Sequence, residues 1–221
     1  MNFSLKNKTI FILDWDGTIF DSMSIKIKNF GKVFKDLYDL NINLSEQHYI
    51  KNSGLPRYFI FEKLLKNHNI KFSQESLGFI SKKLSTLNKK FLINADVFED
   101  SLALINYLIK TNRKVCISSS LPQEELTFFF KKKLSHDIQK QIRFVLGSTS
   151  SFQKGKNHVN FLKNKFLCSK AKFIMIGDDY MDMELAKNAK IDSLYINRNK
   201  KNNNLNFNTV SSLREVIKCL R

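Results

Sequence analysis

The chain has 221 residues, 43% of them hydrophobic, which allows one large domain or a core with a smaller insert. No apolar run approaches the roughly 18 residues of a membrane span, the N-terminus has no signal-peptide hydrophobic region, and Cys116, Cys168 and Cys219 lack disulfide or zinc spacing, so we expect a cytoplasmic protein with reduced thiols and no membrane partner. The net charge of +17 is spread evenly: residues 21–95 carry thirteen Lys/Arg and six Asp/Glu, or +7, and the other 146 residues carry +10, which reads as a basic surface that favours anionic substrates and not as a nucleic-acid site.

In chain order, an apolar, β-branched run predicts a buried strand over 8–13, ending in Asp14-Trp15-Asp16-Gly17-Thr18. Two carboxylates leaving a core strand within one turn call for neutralisation, and paired hard oxygen donors suit Mg²⁺. Residues 21–95 contain no clear strand and read as four helices. The first starts at Ser22 or Ser24, the second at Ser45; the third covers 57–67, and the fourth is capped by Ser73 with an apolar stripe of Leu77, Ile80, Leu84, Leu87 and Phe91. Asp100 or Ser101 can cap a helix to about Lys110. Strands follow over 114–117, 144–146, 172–176 and 193–196, with Pro122 in the first turn of a helix and another helix over 181–189. The segment 197–208 reads as an exposed loop, and Ser212 to Glu215 reads as a capping box for a last helix. Strands alternating with helices predict a parallel α/β sheet, in which ligands bind at the carboxyl ends of the strands. The polar clusters lie at those ends: Asp14/Asp16, Ser118-Ser119-Ser120, Gln153-Lys154-Gly155-Lys156, and Gly177-Asp178-Asp179-Tyr180-Met181-Asp182.

These four clusters, in this order, resemble the motifs of the haloacid dehalogenase-like superfamily, and the helices after the first motif resemble its C1-type cap, as in phosphoglycolate phosphatases and β-phosphoglucomutases. The resemblance implies a Rossmann-like parallel sheet formed by residues 1–20 and 96–221, with a helical cap formed by 21–95. It implies a Mg²⁺-dependent phosphatase acting on a small phosphorylated metabolite, such as a sugar phosphate or phosphoglycolate. Asp14 is then the nucleophile that forms an aspartyl-phosphate, and Asp16 the general acid and base. Mg²⁺ is held by Asp14, the Asp16 carbonyl and Asp178, with Asp182 close enough to act through a metal-bound water. Ser118, the Ser119 amide, Gly17 and Thr18 bind the phosphoryl group. Lys154 clamps it, with Lys156 as the rival. Arg57, on the Gly/Pro turn of the cap, binds substrate or is a surface arginine at a helix start. Asp179 is a helix cap, a lysine partner or a solvated turn acid; Trp15 is expected to pack, and His158 is given no chemistry. A phosphomutase shares every core residue named. A basic binding module without catalysis is the alternative of another class.

Overall fold

The computed structural model describes residues 4–198 and 207–221. After a 3-10 turn at Leu5–Asn7 comes the strand β1 (Ile10–Leu13), followed by four consecutive helices, α1 (Met23–Tyr38), α2 (Ile42–Lys51), α3 (Arg57–Asn67) and α4 (Gln74–Phe91). It then alternates: α5 (Glu99–Lys110), β2 (Lys114–Pro122), α6 (Gln123–Lys133), α7 (His136–Gln141), β3 (Phe144–Ser148), α8 (Lys156–Phe166), β4 (Phe173–Gly177), α9 (Tyr180–Ala189), β5 (Asp192–Ile196), β6 (Thr209–Val210) and α10 (Leu213–Leu220). The six strands form one sheet in the order β3-β2-β1-β4-β5-β6, with every pairing parallel. This is a Rossmann-like α/β fold, and β1 lies at its topological switch point between β2 and β4.

The pleat sorts the β1 side chains between two cores. Phe11 and Leu13 face a layer that includes Leu104, Leu108, Phe129 and Val216 from α5, α6 and α10. Ile10 and Ile12 face the opposite layer, with Val159 and Leu162 from α8 and Ala186 from α9. Both faces of the central strands are therefore buried, which explains their continuous apolar runs. The helices α1 to α4 enclose a third core of Phe30, Phe34, Phe61, Leu65, Leu77 and Ile80. Aromatic contacts tie it together, with the Phe30 and Phe34 rings 4.6 Å apart.

Several local expectations change. Asn41, not Ser45, caps α2, accepting the Leu44 N–H at 3.1 Å; Ser45 is buried inside the helix. At α5 the N-cap position is Phe98, without a side-chain cap. Asp100 instead accepts from Leu213 N and Ser212 Oγ, tying α5 to α10. Pro122 ends β2 and sits at the N-cap of α6, one position before its first turn. The strand β2 runs five residues past the predicted end because Ser118 to Pro122 continue alongside β3 after a register shift. Ser73 does cap α4, paired with Ser76, and the box at Ser212 and Glu215 starts α10. Phe91, assigned to the apolar stripe of α4, is exposed. The loop expected over 197–208 lies largely outside the described residues, and among those described no helix is long and apolar enough to cross a membrane.

Candidate active site at the carboxyl ends of the strands

The sheet brings Asp14, Lys154, Asp178 and Asp182 together from three places in the chain. The Asp14 amide donates to Ile176 O at 2.9 Å, so β1 stays in register with β4 up to the point where both carry acids. Beyond Asp14 the chain turns tightly, with Ile19 and Phe20 N–H both bonded to Trp15 O at 2.9 and 2.8 Å. Trp15 is fully buried, packed with its ring 5.6 Å from that of Phe20, as a packing residue should be. Gly17 holds φ +74°, and a Cβ there would lie 2.0 Å from Asp178 Oδ2; the turn is shaped to admit that carboxylate. The Thr18 hydroxyl donates to Asp178 Oδ1 at 3.1 Å.

Carboxylate oxygens of Asp14, Asp178 and Asp182 lie within 4.8 Å of one another. Lys154 Nζ meets Asp14 Oδ1 at 2.7 Å and Asp182 Oδ1 at 2.5 Å, with only 3% of its side chain exposed. Lys156 begins α8 and is exposed. Burial alone would lower the Lys154 ammonium, but Asp14 and Asp182 together hold it well above its usual value. The acids move upward. Burial raises Asp14, with Lys154 opposing and Asp16 adding to the rise. Burial, then Asp14 and Asp182, push Asp178 well up. Asp182 is raised to about 7, by burial first and against the pull of Lys154. Among the described residues, no hydrogen bond of ordinary geometry beyond the Lys154 ion pair reaches either Asp182 oxygen. One lysine does not balance three crowded carboxylates. A hard divalent cation fits this donor set: it would neutralise the excess charge and be held through oxygen alone.

Asp16 lies outside this cluster. Its two oxygens accept from Ser22 Oγ at 2.5 Å and Lys26 Nζ at 2.6 Å. Ser22 occupies the N-cap of α1, yet its hydroxyl makes no capping bond and goes to Asp16 instead. Burial lowers Lys26, but Asp16, then Tyr49 and Glu125, together outweigh it and keep the ammonium well up. Lys26 escaped the sequence reading. The signal was present: Lys26, Asn29, Phe30 and Val33 fall on the buried face of α1 at helical spacing, so a lysine sits where an apolar residue belongs.

Ser118 Oγ and His158 Nδ1 form a 2.8 Å hydrogen bond. His158, expected to be inert, is fully buried, and its imidazole is depressed to about 4, by burial and then by Lys154 nearby. It is therefore a neutral partner that fixes the serine hydroxyl. Ser119 is buried too, its hydroxyl accepting Leu121 N–H at 3.1 Å. The backbone of the Gly17–Thr18 turn is held from behind by Arg198, which donates to Gly17 O at 3.1 Å and Thr18 O at 2.8 Å while pairing with both Asp100 oxygens at 2.9 Å. Nothing local in the sequence singles out Arg198, since its partners are Asp100 and the first motif.

The four helices close over the site on two sides. The turn between α2 and α3 meets the fourth motif: Ser53 Oγ donates to Asp179 Oδ2 at 2.5 Å, and Gly54 holds φ +82° with a virtual Cβ 2.8 Å from Asp179 Oδ1. Asp179 also caps α9, accepting Met181 N–H at 2.8 Å, and pairs with no lysine among the described residues. On the other side Arg57 is not a surface arginine. Its side chain is 10% exposed and donates to Glu125 Oε2 at 2.8 Å.

Residues 11–196 match the sequence model of one family, the haloacid dehalogenase-like hydrolases. No curated protein sequence matches significantly. A haloacid dehalogenase-like family hydrolase from Streptococcus pneumoniae is similar in structure at TM-score 0.74 and 18% identity, covering 97% of this chain and 99% of that one. A predicted phosphoglycolate phosphatase from Haemophilus somnus gives 0.75 at 12% identity, with coverage of 97% and 99%. The protein CbbY of Rhodobacter sphaeroides, in complex with xylulose 1,5-bisphosphate, gives 0.79 at 9%, with coverage of 94% and 96%. At such identities these likenesses speak for the fold alone. The family match spans β1 to β5 and takes in all four polar clusters, so the chain belongs to the haloacid dehalogenase-like hydrolases.

Proposed function

We propose that the protein is a Mg²⁺-dependent phosphomonoesterase acting on a small phosphorylated metabolite through an aspartyl-phosphate. The observation that carries the reading is the division of two neighbouring acids. Asp14 is paired with Lys154 beside two further carboxylates, whereas Asp16 is held apart by Ser22 and Lys26. One acid is thereby fitted to attack and the other to move protons.

In this reading an Asp14 oxygen attacks phosphorus as the bond to the leaving oxygen breaks. Asp16 gives that oxygen a proton, then takes one from the water that cleaves the acyl phosphate and frees Asp14. Lys154 and the Ser118 hydroxyl, fixed by His158, face the developing charge on the phosphoryl oxygens. Asp14, Asp178 and the Asp16 carbonyl would hold Mg²⁺, with Asp182 beside them. When bound, the ion supplies charge neutralisation that lets a dianionic phosphate approach a carboxylate. The Gly17 N–H donates to Phe20 O at 2.8 Å and the Thr18 hydroxyl to Asp178, so the donors from this stretch to the phosphoryl group would be the Thr18 and Ser119 N–H groups.

The test is colour release from p-nitrophenyl phosphate with and without Mg²⁺, on the parent and on Asp14→Asn. We expect metal-dependent turnover by the parent and a loss of at least about a thousandfold in the variant, with a cooperative thermal unfolding transition retained. A variant within tenfold of the parent would sink the covalent mechanism.

A further inference from the structure

Glu125 lies on α6, the helix that follows the Ser118 strand, yet its partners are on α3 and α4. Oε2 accepts from Arg57 Nη2 at 2.8 Å and from Ser85 Oγ at 2.5 Å, and Oε1 from Asn88 Nδ2 at 2.9 Å. Arg57 is further fixed by donating to Ser85 Oγ at 2.7 Å. The Glu125 side chain is 1% exposed. Burial would raise its carboxyl, but Arg57, then Lys26, Ser85 and Asn88 hold it below the usual carboxylate range. It is a buried anion, and Arg57 is its counter-ion.

Beside this pair opens a cleft of about 400 Å³, the size of a small-molecule site. Its walls include Ser81, Ser120, Gln123, Thr149 and Gln153. Ser148, in its wall, donates to Ser119 O and accepts the Lys154 N–H, each at 3.3 Å, so the cleft borders the reaction centre. Among the described residues that line it, only Arg57 and Glu124 are charged. The first is neutralised by Glu125 and the second is an acid.

We propose that Glu125 sets the substrate class by engaging Arg57: the cleft takes an uncharged, hydroxyl-bearing leaving group and disfavours one that carries a carboxylate or a second phosphate. This rests on the phosphomonoesterase reading. Serine, threonine and glutamine side chains offer both donors and acceptors, as sugar hydroxyls require. An anionic tail would meet Glu124 and would have to draw Arg57 away from Glu125, leaving a buried carboxylate without its cation, which is strongly unfavourable. Arg57 therefore acts in this chain as a junction between the helices and the sheet domain rather than as an anion grip.

The test uses sorbitol 6-phosphate and 6-phosphogluconate, which differ only in a hydroxymethyl against a carboxylate at the far end. Each competes against p-nitrophenyl phosphate hydrolysis by the whole protein. In the parent, sorbitol 6-phosphate should have the lower Ki by at least about tenfold, and Glu125→Gln, which frees Arg57, should shift the ratio at least about tenfold towards 6-phosphogluconate. The Ki ratio is insensitive to a general loss of stability or rate. A parent that prefers 6-phosphogluconate, or that neither compound inhibits, overturns the proposal even if the variant does not fold. An unchanged ratio in Glu125→Gln overturns the role of Glu125. Absence of p-nitrophenyl phosphate hydrolysis by the parent removes the phosphatase reading itself, and the proposal with it.

Discussion

Replacing Lys154 by methionine keeps most of the side-chain length and removes the charge. The ammonium lies 2.7 Å from Asp14 and 2.5 Å from Asp182, with Asp178 in the same cluster. Removing one partner of a buried ion pair costs about 3–5 kcal/mol, because the other charge is left uncompensated. Here the acids can relieve part of that by taking up a proton, so we expect ~3 kcal/mol in metal-free protein. At roughly 2–4 °C per kcal/mol for a chain of this size, Tm should fall by about 6–12 °C. If Mg²⁺ enters the same carboxylates, as proposed, its addition should raise the Tm of the variant more than that of the parent. Lys154 also faces the phosphoryl group in the proposed reaction. Loss of a preorganised donor there costs about 2–4 kcal/mol in the barrier, or roughly a hundredfold or more in kcat. The control is Lys156→Met at the exposed start of α8, expected to change stability by no more than about 0.5 kcal/mol. Thermal unfolding with and without Mg²⁺, beside p-nitrophenyl phosphate kinetics, reads all of this. A Lys154→Met protein as stable as the parent, or a Lys156→Met protein with the larger kinetic defect, refutes the reasoning.

Gly17→Ala should damage both fold and metal response. The positive φ costs about 1 kcal/mol or more for a residue with a Cβ, and that carbon would stand 2.0 Å from Asp178 Oδ2, so the carboxylate must move. We expect the Mg²⁺ concentration for half-maximal activity to rise at least about tenfold; an unchanged metal titration would separate Asp178 from the metal. His158 makes a pH prediction. Its folded-state value of about 4 lies below the usual 6.5, so it contributes stability in full above about pH 6.5 that is lost as pH falls through about 4. Urea unfolding of the parent and of His158→Asn should show a stability gap, up to ~3 kcal/mol near neutral pH, that narrows as pH falls from about 6.5 towards about 4. A gap independent of pH would mean that His158 is not buried in its neutral form.

The sheet was legible because each central strand is a short apolar run that stops at a polar cluster, and because the chain returns to that pattern after α4. The strand β6 has two residues and α7 has six, too short for either period to register. Asn41 and Ser45 are both good caps four residues apart, and the choice between them depends on which helix face meets the Phe30 core. Asp100 resembles a cap by its position, but Ser212 Oγ, Leu213 N and Arg198, about a hundred residues further on, claim both of its oxygens. Local propensity gives way there to tertiary partners that no window contains.

The same distance in sequence explains what was missed in the site. Motif residues announce themselves because acids at the end of a core strand conflict with packing. A lysine or arginine does not, in a chain with 37 of them, until the carboxylate it meets is known. The missed pairs are Asp16 with Lys26, ten residues apart, and Arg57 with Glu125, 68 apart, whereas Asp14 with Lys154, 140 apart, was reached through the motif resemblance. Only the first is short enough to read, and only from a cation on the buried face of α1. Arg57 was legible as an arginine on the right turn, but its pairing was not, since its carboxylate partner lies on α6. An anion grip and a neutralised junction have the same local sequence and opposite consequences for substrate choice. Their difference lies in one buried carboxylate, and that is why Glu125, rather than Arg57, is the residue on which the substrate class should turn.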